Sequence, residues 1–179
     1  MREEGCTIPY GTGEVVMREQ YVGIQYNATG VFGYSFREGG TEVFRVSRPV
    51  LPKPDILLSG FGEALWHRHY DRQITLCPGA RRNVTDASGS VRGYYEIVGL
   101  GEFVIVTESA RVCVRASEAG WHIFAGGDLA AELLRLPENE RTRFTENGLD
   151  MEKRFRVDIL RQTDTSMIPY IMAIPLLGF

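Results

Sequence analysis

Short runs in which apolar and polar residues alternate occur along most of the chain, and turn residues separate them. The clearest run is Lys153–Leu160, where Phe155, Val157 and Ile159 alternate with charged residues. Alternation with a period of two puts the apolar side chains on one face of a β-strand. We therefore predict a mainly β protein. The other predicted strands are Glu14–Ile24, Val31–Phe36, Thr41–Val46, Gln73–Cys77, Arg81–Thr85, Val91–Val98, Glu102–Thr107, Arg111–Ala116 and Trp121–Ala125.

Glycine-containing turns connect these runs. Asn27–Gly30 and Asp86–Gly89 share an Asx-Ala-hydroxyl-Gly pattern, whose side-chain and glycine chemistry suits a hairpin reversal. Asp128–Leu136 has the propensity of a helix, but it follows a strand and Gly126-Gly127 directly, which favours a hairpin strand. Residues 137–150 are polar, and we predict a solvated loop there.

Two segments have no clear strand pattern. Residues 48–55 contain three prolines, which argue against a central strand because proline cannot donate to the ladder. For residues 56–70 a loop, a short helix and an edge strand all remain open. Residues 1–13 resemble a loosely held arm, and the length of 179 residues predicts a single domain over 1–179.

The C-terminal stretch Ser166–Phe179 is far more apolar than the rest of the chain. Asp164, Thr165 or Ser166 can act as the N-cap of a short helix over residues 166–174, with Pro169 in or just beyond the first turn. Pro175 should end the helix and leave the residue before it extended. A helix without a polar face is surrounded by protein or lipid. The run is shorter than the ~20 residues of a membrane span, which predicts burial in protein.

Many short strands and one fully apolar helix together favour a closed β-barrel of about twelve strands around a buried C-terminal helix. A β-sandwich has no room for such a helix, whereas a wide barrel needs its interior filled.

Three segments resemble the tubby C-terminal-like superfamily, which includes tubby, the phospholipid scramblases and the LURP-one-related proteins. Arg82–Val91 is similar to a strand–turn–strand step of that family, and Trp121–Leu133 to one of its hairpins. Arg156–Ile159, running into the apolar helix, resembles its final strand and central helix. The resemblance covers roughly residues 73–179. It implies a twelve-stranded barrel around a central helix and, for some members, binding to lipids such as phosphoinositides.

Composition and charge argue against some classes of function and indicate a cellular compartment. The net charge is −3, which gives no general attraction to nucleic acid or anionic membrane. No apolar stretch follows the first residues, so we predict no signal peptide and no transmembrane segment. The three cysteines form no C-x-x-C pair, which favours free thiols in a reducing compartment and a cytoplasmic location.

Arginines on predicted neighbouring strands are the main candidate binding set, because guanidinium groups on one outer face can hold a phosphorylated headgroup. The alternative is a solvated exterior in which interleaved acidic residues neutralise them. The candidate residues are Arg81, Arg82, Arg111, Arg115, Arg154 and Arg156.

His67 and His69 share a face if they lie on a strand, and with Glu63 they form the main His/carboxylate cluster. Such a cluster can hold Zn²⁺, although an ordinary polar segment is the simpler interpretation. His122 is expected to be an exposed or hydrogen-bonded histidine. We find no motif of a catalytic site or cofactor and predict neither.

The preferred hypothesis is therefore a non-enzymatic, tubby-like binding domain that recognises a lipid headgroup, a phosphorylated ligand or a protein partner. The alternative is a small intracellular metal-dependent hydrolase that uses His67, His69 and Glu63.

Overall fold

The computed structural model describes residues 19–49, 56–60, 63–67, 77–160 and 163–177, and most of these residues lie in β-strands. The strands are β1 (Glu19–Ala28), β2 (Val31–Glu38), β3 (Thr41–Pro49), β4 (Ile56–Gly60), β5 (Glu63–His67), β6 (Arg81–Thr85), β7 (Val91–Gly99), β8 (Glu102–Thr107), β9 (Arg111–Ala116), β10 (Gly120–Ala125), β11 (Asp128–Arg135), β12 (Arg143–Glu146) and β13 (Leu149–Ile159). The prediction of a mainly β protein is confirmed.

The strands form one large antiparallel sheet in which β1 to β11 follow one another in chain order. The sheet continues from β11 to β13, and β1 also pairs with β13. One edge of β13 therefore pairs with β1 from Asn27 to Glu19. Its other edge pairs with β11 at residues 155–159 and with β12 at residues 149–152.

Local turn chemistry fixes several of the hairpins as predicted. The turns at Thr29-Gly30 and Ala87-Ser88 join β1 to β2 and β6 to β7, and Gly126-Gly127 joins β10 to β11. Gly126 and Gly127 both have positive φ, a conformation that side chains with a Cβ disfavour. The interpretation of residues 128–136 as a hairpin strand is confirmed by β11.

The prediction of a solvated loop over residues 137–150 is wrong. A 3₁₀ turn at Glu138–Glu140 leads into β12, which forms a hairpin with β13. Asn147 and Gly148 both have positive φ, as a two-residue type I′ turn requires. β3 likewise continues to Pro49, so Arg48 and Pro49 lie in a strand rather than in the predicted irregular segment, whose other residues lie outside the described ones.

The C-terminal segment is helical but only briefly α-helical. α1 spans Ile168–Met172, with 3₁₀ turns at Thr165–Met167 before it and Ile174–Leu176 after it. The Asp164 carboxylate accepts a hydrogen bond from the backbone N–H of Ser166, so the first of the three N-cap candidates is the one used. The expectation of an extended residue before Pro175 is wrong, because Ile174 begins the final 3₁₀ turn.

This C-terminal segment belongs to the main hydrophobic core. All five residues of α1 are buried, and four of them, Ile168, Tyr170, Ile171 and Met172, belong to a cluster with apolar side chains of β1–β3, β6–β11 and β13. Two buried hydrogen bonds attach the segment to the sheet. Tyr95 Oη donates to the Tyr170 carbonyl at 2.7 Å, and Arg82 Nη1 donates to the Leu177 carbonyl at 2.7 Å.

Gly93 on β7 makes room for the helix. A Cβ at this position would lie 2.8 Å from the Tyr170 hydroxyl and 2.6 Å from the Val106 carbonyl oxygen. Both distances are shorter than van der Waals contact, so the tyrosine ring of the helix requires glycine in the strand that it crosses.

A second, smaller core holds the β12–β13 hairpin. Met151 packs with Ile24 and Tyr26 of β1, and Phe144 of β12 covers the same cluster. Arg37 on β2 forms an ion pair with Glu146 near the tip of the hairpin. The hairpin is therefore attached to β2 as well as to its neighbour in the sheet.

The expectation of free thiols holds for Cys77, which is exposed, but is wrong for Cys113, which is disulfide-bonded. Among the described residues, no helix is both long enough and apolar enough to cross a lipid bilayer.

Candidate functional site

The predicted arginine set does not converge on one surface. The strands that carry it are β6, β9 and β13, and each of these is separated from the next in the sheet by two other strands. Arg82 points into the core, because it shares a face of β6 with the buried Val84, and its guanidinium holds the end of the helical segment.

Most of the outer arginines lie beside a carboxylate. Arg81 pairs with Glu96, its register partner on β7, and its guanidinium also lies over the Tyr94 ring at 4.5 Å. Arg115 lies 3.5 Å from Glu102, and Arg156 lies 2.9 Å from Asp158. Arg111 is exposed, and no acidic partner is found for it among the described residues. The carboxylates reduce the positive potential that these arginines present to an anion.

Among the described residues, a groove of about 550 Å³ lies between β1, β12 and the start of β13. The β12–β13 hairpin forms one side, and the end of β1 forms the other. The lining is mostly polar and mixes both signs of charge. It consists of Gln25, Asn27, Arg143, Phe144, Thr145, Asp150, Met151, Glu152 and Arg154.

Glu152 organises the charges in this groove. Its side chain is 14% exposed and accepts from Arg154 Nη2 at 2.7 Å. Arg143 Nε lies 3.6 Å from the other carboxylate oxygen, which is too long for a hydrogen bond, and the Arg143 side chain is 82% exposed. Arg154 is thus fixed in the wall of the groove, whereas the Arg143 guanidinium is largely available.

The other groove residues add neutral and acidic groups. Gln25 and Asn27 contribute amides that both donate and accept, and Asn27 pairs in register with Asp150 across the groove. Arg154 Nε is buried without an acceptor among the described residues. This set of groups suits recognition of a polar ligand by hydrogen bonds.

Of the predicted binding residues, only Arg154 lies in the groove. Four groove residues were missed because residues 137–150 were interpreted as a loop: Arg143, Phe144, Thr145 and Asp150. The signal was present in the sequence, because Asn147-Gly148 is the strongest short hairpin signal. It separates two runs whose apolar residues, Phe144 before the turn and Leu149 and Met151 after it, pack in the small core.

The histidine cluster is only partly described. Glu63 and His67 are the two ends of β5, which puts their Cα atoms about 13 Å apart at the usual rise of a strand. His69 lies outside the described residues. Within the part of the chain that the structure describes, no three His, Cys, Asp or Glu residues are placed to share a metal ion.

Comparisons of the chain with protein-family models, with curated proteins and with solved structures found no match.

Proposed function

We propose that this chain is a binding domain of the tubby-like barrel type. In this proposal twelve strands close around the C-terminal helix, and the groove between β1, β12 and β13 holds the ligand. Two features support the barrel: β1 pairs with β13 as well as with β2, and α1 lies in a core to which nearly all the strands contribute.

The ligand that fits the groove best is a small polar molecule that carries a phosphate or another compact anion. The observation that carries this choice is Arg143, whose guanidinium is mostly exposed inside a concave site and lies too far from Glu152 for a hydrogen bond. A free guanidinium fork binds phosphate oxygens in pairs. Asp150 and the amides of Gln25 and Asn27 offer partners to hydroxyl or amine groups of the same molecule.

The phosphate belongs either to a free molecule or to a lipid headgroup in a membrane, and these two sources are distinguishable. We expect a free ligand, because the net charge is −3 and several of the outer arginines have a carboxylate partner. A membrane surface attracts clustered basic residues that lack such partners.

The test is a titration of the ¹⁵N-labelled protein with inorganic phosphate and with soluble inositol trisphosphate, followed by amide chemical shifts. We expect saturable shifts at residues 25–27 and 143–152. Arg143→Glu should weaken binding by about tenfold or more, since one lost charged hydrogen bond is worth ~1.5–3 kcal/mol. Arg111→Glu is the matched control, because it makes the same charge change at an exposed arginine on a different strand.

Vesicle flotation completes the experiment. Vesicles with phosphatidylinositol bisphosphate should bind only weakly, and binding that Arg143→Glu abolishes would identify a lipid headgroup as the source of the phosphate. Equal loss of affinity in both arginine variants, or no saturable shifts at the groove, would refute the proposed site.

A further inference from the structure

A second cluster of polar side chains lies on the outer face of β10 and β11, away from the groove. His122 is flanked on β10 by the buried Trp121 and Ile123, so its own side chain points outward. Glu132 is its register partner on β11. Ser117 lies in the tight turn between β9 and β10, where its N–H donates to the Gly120 carbonyl at 2.7 Å.

Two contacts at hydrogen-bond distance connect these three side chains in series. His122 Nδ1 lies 3.2 Å from a Glu132 carboxylate oxygen, and His122 Nε2 lies 3.1 Å from Ser117 Oγ. A carboxylate accepts only from a protonated nitrogen, so Glu132 favours the tautomer with its proton on Nδ1. The lone pair of Nε2 then faces the Ser117 hydroxyl.

We propose that Ser117, His122 and Glu132 form a serine nucleophile site for acyl transfer. A hydroxyl, a base within hydrogen-bond reach of it, and a third group that orients the base define such a site by geometry rather than by fold. Ser117 and His122 are the catalytic residues, and Glu132 is a positioning residue. This proposal is independent of the groove.

The environment indicates which substrate would react. The side chains of His122 and Glu132 are 31% and 23% exposed, so a small molecule reaches them from solvent. The N–H groups of Glu118 and Ala119 follow the nucleophile, and within the described residues neither donates to another protein group. They are the candidate donors to a developing oxyanion.

The carboxylate of Glu118 disfavours an anionic substrate beside the same turn. An open outer face supplies little binding energy for a large acyl group. The substrate class that fits is therefore a short-chain, uncharged carboxylic ester.

The reaction balances with water as the only co-reactant. Ser117 Oγ attacks the ester carbonyl carbon while its proton moves to His122 Nε2. The C–O bond to the alcohol then breaks, and the alcohol leaves with that proton. Water, deprotonated by the same nitrogen, attacks the acyl-serine, which releases the acid and restores Ser117.

Charged groups of both signs surround His122. Arg115 on β9 and Glu132 on β11 are its register partners. Glu102 on β8 lies next to Arg115, and Asp158 on β13 lies opposite Glu132. Glu118 belongs to the turn. Carboxylates predominate in this set, which again disfavours an anionic substrate at this face.

The test uses the full chain, p-nitrophenyl acetate as substrate and a fluorophosphonate probe. Ser117→Ala and His122→Ala should each lower kcat/KM by about 100-fold, the usual scale of a positioned base acting on its nucleophile. Ser109→Ala is the matched control, because Ser109 is also exposed and its hydroxyl bonds to Ser166 and Asp164 rather than to a histidine. The probe should label Ser117, as located by mass spectrometry.

Glu132→Gln tests the positioning role. It should lower kcat with little change in KM, because the imidazole loses the acceptor that orients it. A merely structural role would not produce this separation of kcat from KM. Glu132→Asp should partly restore the rate.

Retained hydrolysis in Ser117→Ala, with loss only in His122→Ala, would show that the imidazole itself is the nucleophile and would overturn the proposal. So would the absence of probe labelling at Ser117, or an unchanged kcat in Glu132→Gln. Ester hydrolysis and phosphate binding are separate measurements on the same chain, so failure of this site and failure of the groove are separate outcomes.

Discussion

Tyr95 links the sheet to the C-terminal segment by a single hydrogen bond between buried groups. The side chain is fully buried, and its hydroxyl donates to the Tyr170 carbonyl at 2.7 Å. Burial raises the pKa of Tyr95 well above its ordinary value, so the hydroxyl stays a donor throughout the physiological range.

Replacing Tyr95 by Phe should therefore destabilise the protein by ~1–3 kcal/mol, because it leaves a buried carbonyl without this donor while the ring still packs. The matched control is Tyr94→Phe at the next position, where the half-buried ring faces outward beneath Arg81. We expect that change to fall within ~0.5 kcal/mol. Urea unfolding of both variants measures the difference, and equal stabilities would contradict this role of Tyr95.

For individual residues, the sequence predicts which side chains are buried better than it predicts which residues they contact. The apolar sequence of the C-terminal helix predicts burial of Ile168, Ile171, Met172 and Ile174, and this prediction is confirmed. The prediction of Arg82 on an outer face is wrong, because Arg82 shares a face of β6 with the buried Val84. Its partner Leu177 is far away in the chain, so the sequence does not reveal this contact. The same limit applies to the contact of His122 with Ser117 and Glu132, because only strand register brings them together.

At the scale of elements, the predicted strands agree with the structure wherever alternation is unbroken. β6, β8 and β9 have the predicted bounds. β12 was missed because its four residues contain a single apolar side chain, too few to show a period. The helix is shorter than predicted because Pro169 and Pro175 leave 3₁₀ geometry at both ends, which periodicity does not reveal.

The helix should contribute to stability as a core element rather than as a surface helix. Ile171 is 0% exposed, and truncating such a side chain to Ala should cost ~2–5 kcal/mol. Leu100→Ala is the control, because Leu100 at the tip of the β7–β8 hairpin is 101% exposed. Thermal or urea unfolding that shows similar small effects for both variants would contradict burial of the helix.

At the scale of the whole molecule, tyrosines buried in the core should make stability depend on alkaline pH. Burial raises the pKa of Tyr21, Tyr26, Tyr34 and Tyr95 in the folded protein. The unfolded chain ionises at the ordinary tyrosine pKa of about 10. Stability is therefore complete below that pH and falls as the pH rises above it.

Urea midpoints measured from pH 8 to pH 11 should show this loss. Tyr95→Phe removes one of the four groups, so its stability should fall less steeply than that of the unchanged protein. Parallel curves for the two proteins, or a midpoint that does not change above pH 10, would contradict the prediction.

The central claim is that the sheet folds around its own C-terminal segment. Residues 167, 168, 170–174, 176 and 177 of this segment belong to the main core, and Tyr95 and Arg82 bind its backbone. A domain of this size has only ~5–15 kcal/mol of stability to lose, which is less than the loss of several such side chains together. The most direct measurement is thermal unfolding, by circular dichroism, of a chain that ends at residue 165, compared with the full chain. We predict that the shortened chain shows no cooperative transition and aggregates. A sharp transition close to that of the full chain would contradict the claim.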